Sequence, residues 1–197
     1  RLKVSRPTAR QALQHLVDRG LVKRRRGVGT IVSPMHVHRP MQLTSLLSDL
    51  SAAGHTTSTS VLDYVEHEAD AEAAEHLEVE EGTAVVTCTR IRCADGEPIA
   101  VLSNLMPATI APTREELESE GLYDLLRAQD AVPTTAKQTI GARNATAREA
   151  ELLHERRRAA LMTATRITYD QSGRVIEYGQ HIYRASRYTF ETSLFSS

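Results

Sequence analysis

The sequence AVVTCTRIRCADGEPIAV, residues 84–101, contains two strand-like runs on either side of a turn. Residues 84–93 are rich in Val, Ile and Thr, which favour strands, and the segment ADGEP carries the Asp-Gly pair typical of a tight turn. A second apolar run, residues 99–106, follows directly. The pattern predicts a β-hairpin and therefore antiparallel pairing.

The rest of the chain extends this pattern into a mixed fold. Further strands are predicted at residues 57–66, 134–143, 161–169, 174–183 and 188–193, the last three forming two final hairpins. Helices are predicted at residues 45–53, 69–77, 114–120, 122–128 and 147–156. Hairpins with interspersed helices predict an α+β antiparallel sheet rather than a doubly wound parallel one. The sequence has no P-loop, G-x-G-x-x-G or H-E-x-x-H motif.

Composition places the chain among globular proteins. It has 197 residues, of which 41% are apolar and 25% charged, enough for a sizeable core. No apolar run approaches the roughly 18 residues of a membrane span, so no membrane partner and no secretory signal are expected. Cys88 and Cys93 lie in one predicted strand, too far apart to pair easily, which indicates free thiols and a cytoplasmic protein.

Charge divides the chain into two unequal parts. Residues 1–40 contain ten Lys or Arg and one acid, Asp18, whereas residues 41–197 contain 14 Lys or Arg and 24 acids. A basic segment of this density attracts a polyanion, and the acidic remainder is repelled by one. The division predicts a nucleic-acid-binding module followed by a module with another partner, a solvated basic tail being the alternative.

The basic segment has the pattern of a helix followed by a hairpin. Apolar residues recur at helical spacing at Ala9, Ala12, Leu13, Leu16 and Val17. Residues 21–25 and 30–33 then form two short strand-like runs joined by RGVG, in which two glycines permit a tight turn. A helix followed by a basic hairpin is the layout of a winged helix-turn-helix.

Residues 4–33, VSRPTARQALQHLVDRGLVKRRRGVGTIVS, resemble the DNA-binding domain of the GntR superfamily of bacterial repressors. In that family a recognition helix enters the major groove and the tip of the wing reaches the minor groove. The resemblance therefore implies contacts to double-stranded operator DNA by six residues: Arg6, Pro7, Thr8 and Arg10 on the helix, and Arg26 and Gly27 at the wing. Arginine can form two hydrogen bonds to guanine, and glycine lets the backbone approach a groove. Pro7 departs from the family, which often has Thr there, and removes a hydroxyl contact.

The resemblance also implies a division into domains. Residues 1–33 are expected to form a partial winged helix-turn-helix, residues 34–41 a linker, and residues 42–197 an effector-binding domain. The segment LKV, residues 2–4, looks like the end of a preceding helix, so the first helix and most of the second are expected to lie before Arg1.

The larger module looks like the UTRA effector domain of the HutC-type branch of the same superfamily, whose fold is similar to chorismate lyase. Four segments carry this resemblance: LTSLLSDLSAAG at 43–54, the hairpin at 84–101, GLYDLL at 121–126 and EYGQHIYRASRYTF at 177–190. Homodimers that bind a small metabolite are typical of the family.

Arg90 and Arg92 lie two residues apart on a predicted strand, so their side chains point to the same face. Two cations directed into a domain need an anion, which indicates a binding site, and a structural salt bridge to an acid such as Glu177 is the alternative. In sugar-phosphate-responsive relatives this Arg pair and the start of the preceding helix hold a phosphate. The resemblance assigns these roles to Arg90, Arg92, Thr44, Ser45, Leu46 and Leu47, and further ligand contacts to Tyr123, Glu177 and Tyr183.

Three departures from the family pattern affect the expected ligand. Leu102 stands where relatives often carry Glu, Gly121 replaces a serine, and Ser186 stands where Asp is usual. The pocket is therefore expected to be less polar, so the effector is a sugar phosphate or another anionic metabolite.

The sequence indicates no cofactor and no metal site. Of the histidines, only His36 and His38 have metal-like spacing, and they lie in the predicted linker, while His181 is placed to face the pocket. The chain is therefore interpreted as a homodimeric, DNA-binding repressor rather than an enzyme. The alternative is an enzyme of the chorismate-lyase-like fold, for which Glu177 and His181 are weak candidates as general acids.

Overall fold

The structure, a computed structural model, describes residues 5–18, 22–25, 29–32, 37–40 and 43–191. The helices are α1 (Arg6–Asp18), α2 (Leu46–Ala52), α3 (Ala71–Leu77), α4 (Arg114–Ser119), α5 (Leu122–Ala128) and α6 (Ala147–Leu152). The strands are β1 (Val22–Arg25), β2 (Gly29–Val32), β3 (Val37–Pro40), β4 (Thr57–Glu68), β5 (Ala84–Ala94), β6 (Glu97–Pro107), β7 (Thr135–Asn144), β8 (Ala160–Tyr169), β9 (Val175–Arg184) and β10 (Tyr188–Glu191).

The basic segment forms the predicted helix and hairpin. Helix α1 begins after Ser5, whose hydroxyl accepts a hydrogen bond from the backbone N–H of Thr8 at 3.2 Å. Strands β1 and β2 pair in antiparallel register.

Six long strands form one antiparallel sheet in the order β4-β5-β6-β9-β8-β7, which confirms the α+β antiparallel prediction. The hairpin predicted at residues 84–106 is β5–β6, and both of its strands lie in the interior of the sheet. Strands β6 and β9, distant in sequence, pair so that Asn104 lies opposite Gly179. This pairing brings the two halves of the domain together.

Helices cover both faces of the sheet. On one face, α2, α4 and α5 pack through Leu46, Leu50, Leu117 and Leu126. On the other face, α3 and α6 pack at separate positions in two smaller apolar clusters. Because side chains alternate along a strand, Arg90 and Arg92 share the face covered by α2 and α5.

Four helices are shorter than predicted, and the boundaries of two of them have a clear physical reason. The helix expected at 147–156 ends at Leu152, because His154 adopts a left-handed backbone with φ of 50° that cannot continue a helix. The helix expected at 69–77 begins at Ala71, because the Asp70 side chain caps it by accepting the N–H of Ala73 at 2.8 Å.

The last predicted strand has a different partner from the one expected. Residues 188–193 were expected to belong to a final hairpin, but β10 pairs in parallel with β3, with Tyr188 opposite Val37. Strand β3 lies within the segment interpreted as a linker. Strand β10 is therefore hydrogen-bonded to part of the segment that follows β1 and β2 in the chain.

Candidate functional site

A cavity lies between the sheet and the starts of α2 and α5. Eight of the nine residues that the sequence predicts for effector binding line it: Thr44, Ser45, Leu46, Arg90, Arg92, Tyr123, Glu177 and Tyr183. Leu47 is not among the lining residues within the described part of the chain. Five further residues line the cavity: Leu102, Asn104, Leu122, Arg166 and His181.

The two arginines of β5 are almost fully buried, with 2% of Arg90 and 1% of Arg92 exposed. Arg90 donates from Nη2 to the side-chain oxygen of Asn104 at 2.6 Å. Within the described residues, Nε and Nη1 of Arg92 and Nε of Arg90 have no hydrogen-bond partner. Burial, together with the charge of Arg90, lowers the pKa of Arg92 to about 10.

Glu177 does not form the salt bridge considered as the alternative role of the arginine pair. Its carboxylate is fully buried and accepts hydrogen bonds from Asn104 Nδ2 at 2.5 Å, Thr168 Oγ1 at 2.6 Å and Tyr123 Oη at 3.4 Å. Burial, and then the charge of Glu177, raise the pKa of Tyr123 to about 12, so its phenol stays protonated. The acid is thus held by neutral donors.

Arg166 is the third arginine that lines the cavity, and no sequence pattern predicted its role. It donates from Nη1 to Tyr123 Oη at 3.0 Å and from Nε to Gln138 Oε1 at 2.8 Å. Its guanidinium carbon lies 5.9 Å from the centre of the Tyr123 ring. The sequence feature that could have indicated this role is a basic residue within the largely apolar strand predicted at residues 161–169.

Asn104 was also missed, although a polar residue within the apolar strand IAVLSNLM was a signal of the same kind. Its amide contacts Arg90, Glu177 and His181. His181 also approaches Tyr183, with Nδ1 at 3.2 Å from the phenol oxygen. As the sequence indicated, His181 faces the pocket.

The start of α2 is held by its own side chains. Ser45 caps the helix by accepting the N–H of Leu47 at 3.3 Å, and Thr44 donates to Asp49 at 2.9 Å. A Cβ at Gly121 would lie 2.8 Å from Ser45 Oγ and 2.7 Å from Asp124 Oδ2. The glycine at this position therefore lets α5 approach α2.

Aromatic rings extend from the cavity to β10. The ring of Tyr183 stacks on Tyr188 with centroids 4.3 Å apart, and both rings make edge contacts with Phe190. Tyr183, which lines the cavity, therefore contacts Tyr188, the first residue of the strand that pairs with β3.

The residues predicted to contact DNA are partly described. Pro7, Thr8 and Arg10 are exposed on α1, and Arg6 lies in the same helix. Arg26 and Gly27 lie outside the described residues, as does His36 of the predicted linker. No group of three potential metal ligands occurs within the described ranges. In the same ranges, no helix has the length and apolar character needed to cross a bilayer.

Comparison with known proteins identifies the family. The UTRA domain matches residues 52–189, and the gntR family of bacterial regulatory proteins matches residues 1–32. The transcriptional repressor NagR of Bacillus subtilis is 33% identical over 190 residues, which cover 95% of this chain and 78% of NagR. The repressor PhnF of Mycolicibacterium smegmatis is 31% identical, again over 95% of this chain and 78% of its own.

A solved structure agrees with these matches. The crystal structure of PhnF from Mycobacterium smegmatis superposes with a TM-score of 0.82 at 29% identity, over 99% of this chain and 87% of that one. These relatives are repressors and not enzymes, so the enzyme alternative is set aside. The chain belongs to the GntR family of bacterial regulatory proteins, in the branch in which a DNA-binding winged helix is followed by a metabolite-binding UTRA domain.

Proposed function

We propose that the chain is a cytoplasmic, homodimeric repressor whose affinity for operator DNA is controlled by a small anionic metabolite, a phosphorylated one in the simplest case. The metabolite binds in the cavity with its anionic group on Arg90 and Arg92. The remaining cavity residues contact the rest of the molecule.

The burial of Arg92, two of whose nitrogens have no partner in the described part of the chain, is the observation that carries this proposal. Removing a guanidinium from water costs several kcal/mol unless an anion or hydrogen-bond acceptors replace the water. Two of the three nitrogens of Arg92 have no acceptor within the described residues, and the cavity lies beside them. An anionic ligand supplies the missing acceptors.

The charge of the cavity favours a ligand with more than one negative charge. Three arginines and one glutamate are the charged side chains among the described lining residues, which leaves an excess of two positive charges. A phosphate monoester carries about two negative charges near neutral pH and has three acceptor oxygens. A monocarboxylate would neutralise only half of the excess.

The apolar part of the cavity limits the rest of the ligand. Leu46, Leu102 and Leu122 line it beside the phenol rings of Tyr123 and Tyr183. The enclosed space in the cavity is small. A compact metabolite with few hydroxyl groups fits it best, and this favours phosphorylated compounds other than the most polar amino sugars.

DNA recognition belongs to α1 and the wing. Arg6 and Arg10 contact base edges, Thr8 and the backbone near Pro7 contact the phosphate backbone, and Arg26 and Gly27 reach the minor groove. Two winged helices of a homodimer read two half-sites, so a change in their separation changes the affinity for the operator.

The experiment uses operator fragments that the full-length protein selects from random-sequence DNA. Fluorescence anisotropy measures the dissociation constant of the DNA complex with inorganic phosphate, sugar phosphates, amino-sugar phosphates, histidine and urocanate. We expect at least one phosphorylated compound to change the constant tenfold or more, and phosphorus NMR to show that the compound is recovered unchanged. The proposal is wrong if no phosphorylated compound alters DNA binding, or if one is converted to product.

A further inference from the structure

Asn104 lies between the cationic and the acidic parts of the cavity. Its side-chain oxygen accepts from Arg90 Nη2 at 2.6 Å, and its nitrogen donates to Glu177 Oε1 at 2.5 Å. A guanidinium can only donate and a carboxylate can only accept, so the chemistry of these two neighbours fixes the orientation of the amide.

We propose that Asn104 is the specificity-determining residue of the cavity: its neutral amide separates Arg90 from Glu177 and so leaves the charge of Arg90 for an anionic ligand. This inference rests on the proposed function, because it concerns how the same cavity selects an anion.

The separation matters because a direct ion pair between Arg90 and Glu177 would neutralise the positive charge that an anionic ligand needs. Arg90 and Glu177 are both buried, and an arginine and a carboxylate in contact form a strong two-point pair. With the amide between them, Glu177 takes its hydrogen bonds from the neutral groups of Asn104, Thr168 and Tyr123. Arg90 meets only a neutral oxygen on its Asn104 side, and its Nε has no partner within the described residues.

The same amide favours one tautomer of His181. Asn104 Nδ2 lies 3.2 Å from His181 Nε2, and because an amide nitrogen only donates, this hydrogen bond requires Nε2 to be unprotonated. In that neutral tautomer the proton is on Nδ1, which can donate to the phenol oxygen of Tyr183 at 3.2 Å. Glu177 Oε1 lies 3.9 Å from Nε2, too far for a hydrogen bond that would reverse this assignment.

Gly179 leaves room for the side chains of Asn104, Glu177 and His181 to meet. It lies opposite Asn104 on β9, between Glu177 and His181 along the strand. A Cβ at this position would overlap Glu177 Oε1 and lie 2.8 Å from His181 Nε2. Glycine therefore permits both side chains to reach the amide of Asn104.

The substitution Asn104→Asp tests the separation with the smallest change. It replaces the neutral amide with a carboxyl group that contacts both Arg90 and Glu177. The two acids share one proton and the remaining negative charge pairs with Arg90, so we expect inorganic phosphate to bind at least tenfold more weakly by calorimetry at constant ionic strength. Gln180→Glu is the matched control, since it makes the same amide-to-acid change on the neighbouring strand at an exposed position. Affinity in that control should stay within twofold. Phosphate affinity within twofold of wild type in Asn104→Asp, in a folded protein, overturns the proposal.

The wild-type protein supplies a second test that needs no variant to fold. Nitrogen NMR of the imidazole distinguishes the two neutral tautomers of His181, and we expect the form protonated on Nδ1. Asn104→Asp should move the proton to Nε2 or add one there, because the new carboxylate accepts. A wild-type His181 protonated on Nε2 overturns the role of Asn104. If no phosphorylated compound binds the wild type, the proposed function fails, and the histidine spectrum still decides whether Asn104 orders this cluster.

Discussion

The phenol ring of Tyr183 stacks on the ring of Tyr188, with the two planes 16° apart. Tyr183 lines the cavity, and Tyr188 begins the strand whose parallel partner, residues 37–40, follows the wing in the chain. Packed interiors transmit small shifts, so we expect a ligand that shifts Tyr183 to displace β10 and the strand β3 paired with it. The stack is a direct physical connection between the cavity and the segment that leads to the DNA-binding module.

Phe190→Leu is expected to weaken this connection without emptying the cavity. The substitution keeps an apolar side chain but removes the ring that contacts both tyrosines edge-on. A phosphorylated ligand should bind with its affinity changed by less than about threefold, while its effect on amide hydrogen exchange of residues 37–39 falls by half or more. Tyr178→Leu, on the opposite face of β9, is the control. An unchanged ligand effect in Phe190→Leu would contradict the connection.

Arg10→Ala is expected to weaken specific DNA binding and leave ligand binding alone. A bidentate contact to guanine contributes about 1–3 kcal/mol, which corresponds to a loss of roughly 5- to 150-fold in affinity. Arg157→Ala removes an exposed arginine from the effector domain and serves as the control. Anisotropy titrations at several salt concentrations give the affinity and the salt slope. Equal affinities for the Arg10 variant and wild type would remove Arg10 from the interface.

Gly121→Ala and Ser45→Ala should not be additive. A Cβ at residue 121 meets Ser45 Oγ, the atom that caps α2, so the first substitution also disturbs the cap. Each single change is expected to lower stability by about 1 kcal/mol, or about 2–4 °C in Tm, and the double variant by less than the sum. Urea unfolding of all four proteins gives the coupling, and strict additivity would show that the two residues act independently.

The lowered pKa of Glu149 predicts that the free energy of unfolding decreases at acidic pH. Arg143 donates two hydrogen bonds to its carboxylate and lowers the pKa of Glu149 to about 2. Because this pKa is below the ordinary value of 4.5, the ionised carboxylate stabilises the fold fully above about pH 4.5 and progressively less as the pH falls toward 2. The difference in unfolding free energy between wild type and Glu149→Gln should therefore shrink between pH 5 and pH 3. A constant difference would contradict it, and Glu120→Gln, at an exposed position, is the control.

Local sequence patterns predicted the elements but not all of the cavity. Alternation along residues 84–94 placed Arg90 and Arg92 on one face, and the turn residues located β5–β6. Those inferences need only the geometry of one strand or one hairpin.

Asn104 and Arg166 could not be assigned in the same way. Both lie opposite Gly179, one across β6–β9 and the other across β8–β9, so their meeting depends on the register of strands distant in sequence. The parallel pairing of β10 with β3 joins residues about 150 positions apart and has no local signal. The early end of α6 depends on the left-handed backbone at His154, which a residue other than glycine rarely adopts.

The central claim is that Arg92 is buried for a ligand rather than for stability. Arg92→Met replaces a buried cation, which has two nitrogens without a partner within the described residues, by an unbranched apolar side chain, with Arg157→Met as an exposed control. Thermal unfolding is measured alone and with each phosphorylated compound. A ligand at about 100 times its dissociation constant should stabilise wild type by about 2.7 kcal/mol, a shift of several degrees. The account predicts that Arg92→Met raises Tm without ligand and removes the ligand-induced shift. A lower Tm together with an undiminished shift would show that Arg92 is structural and contradict the account.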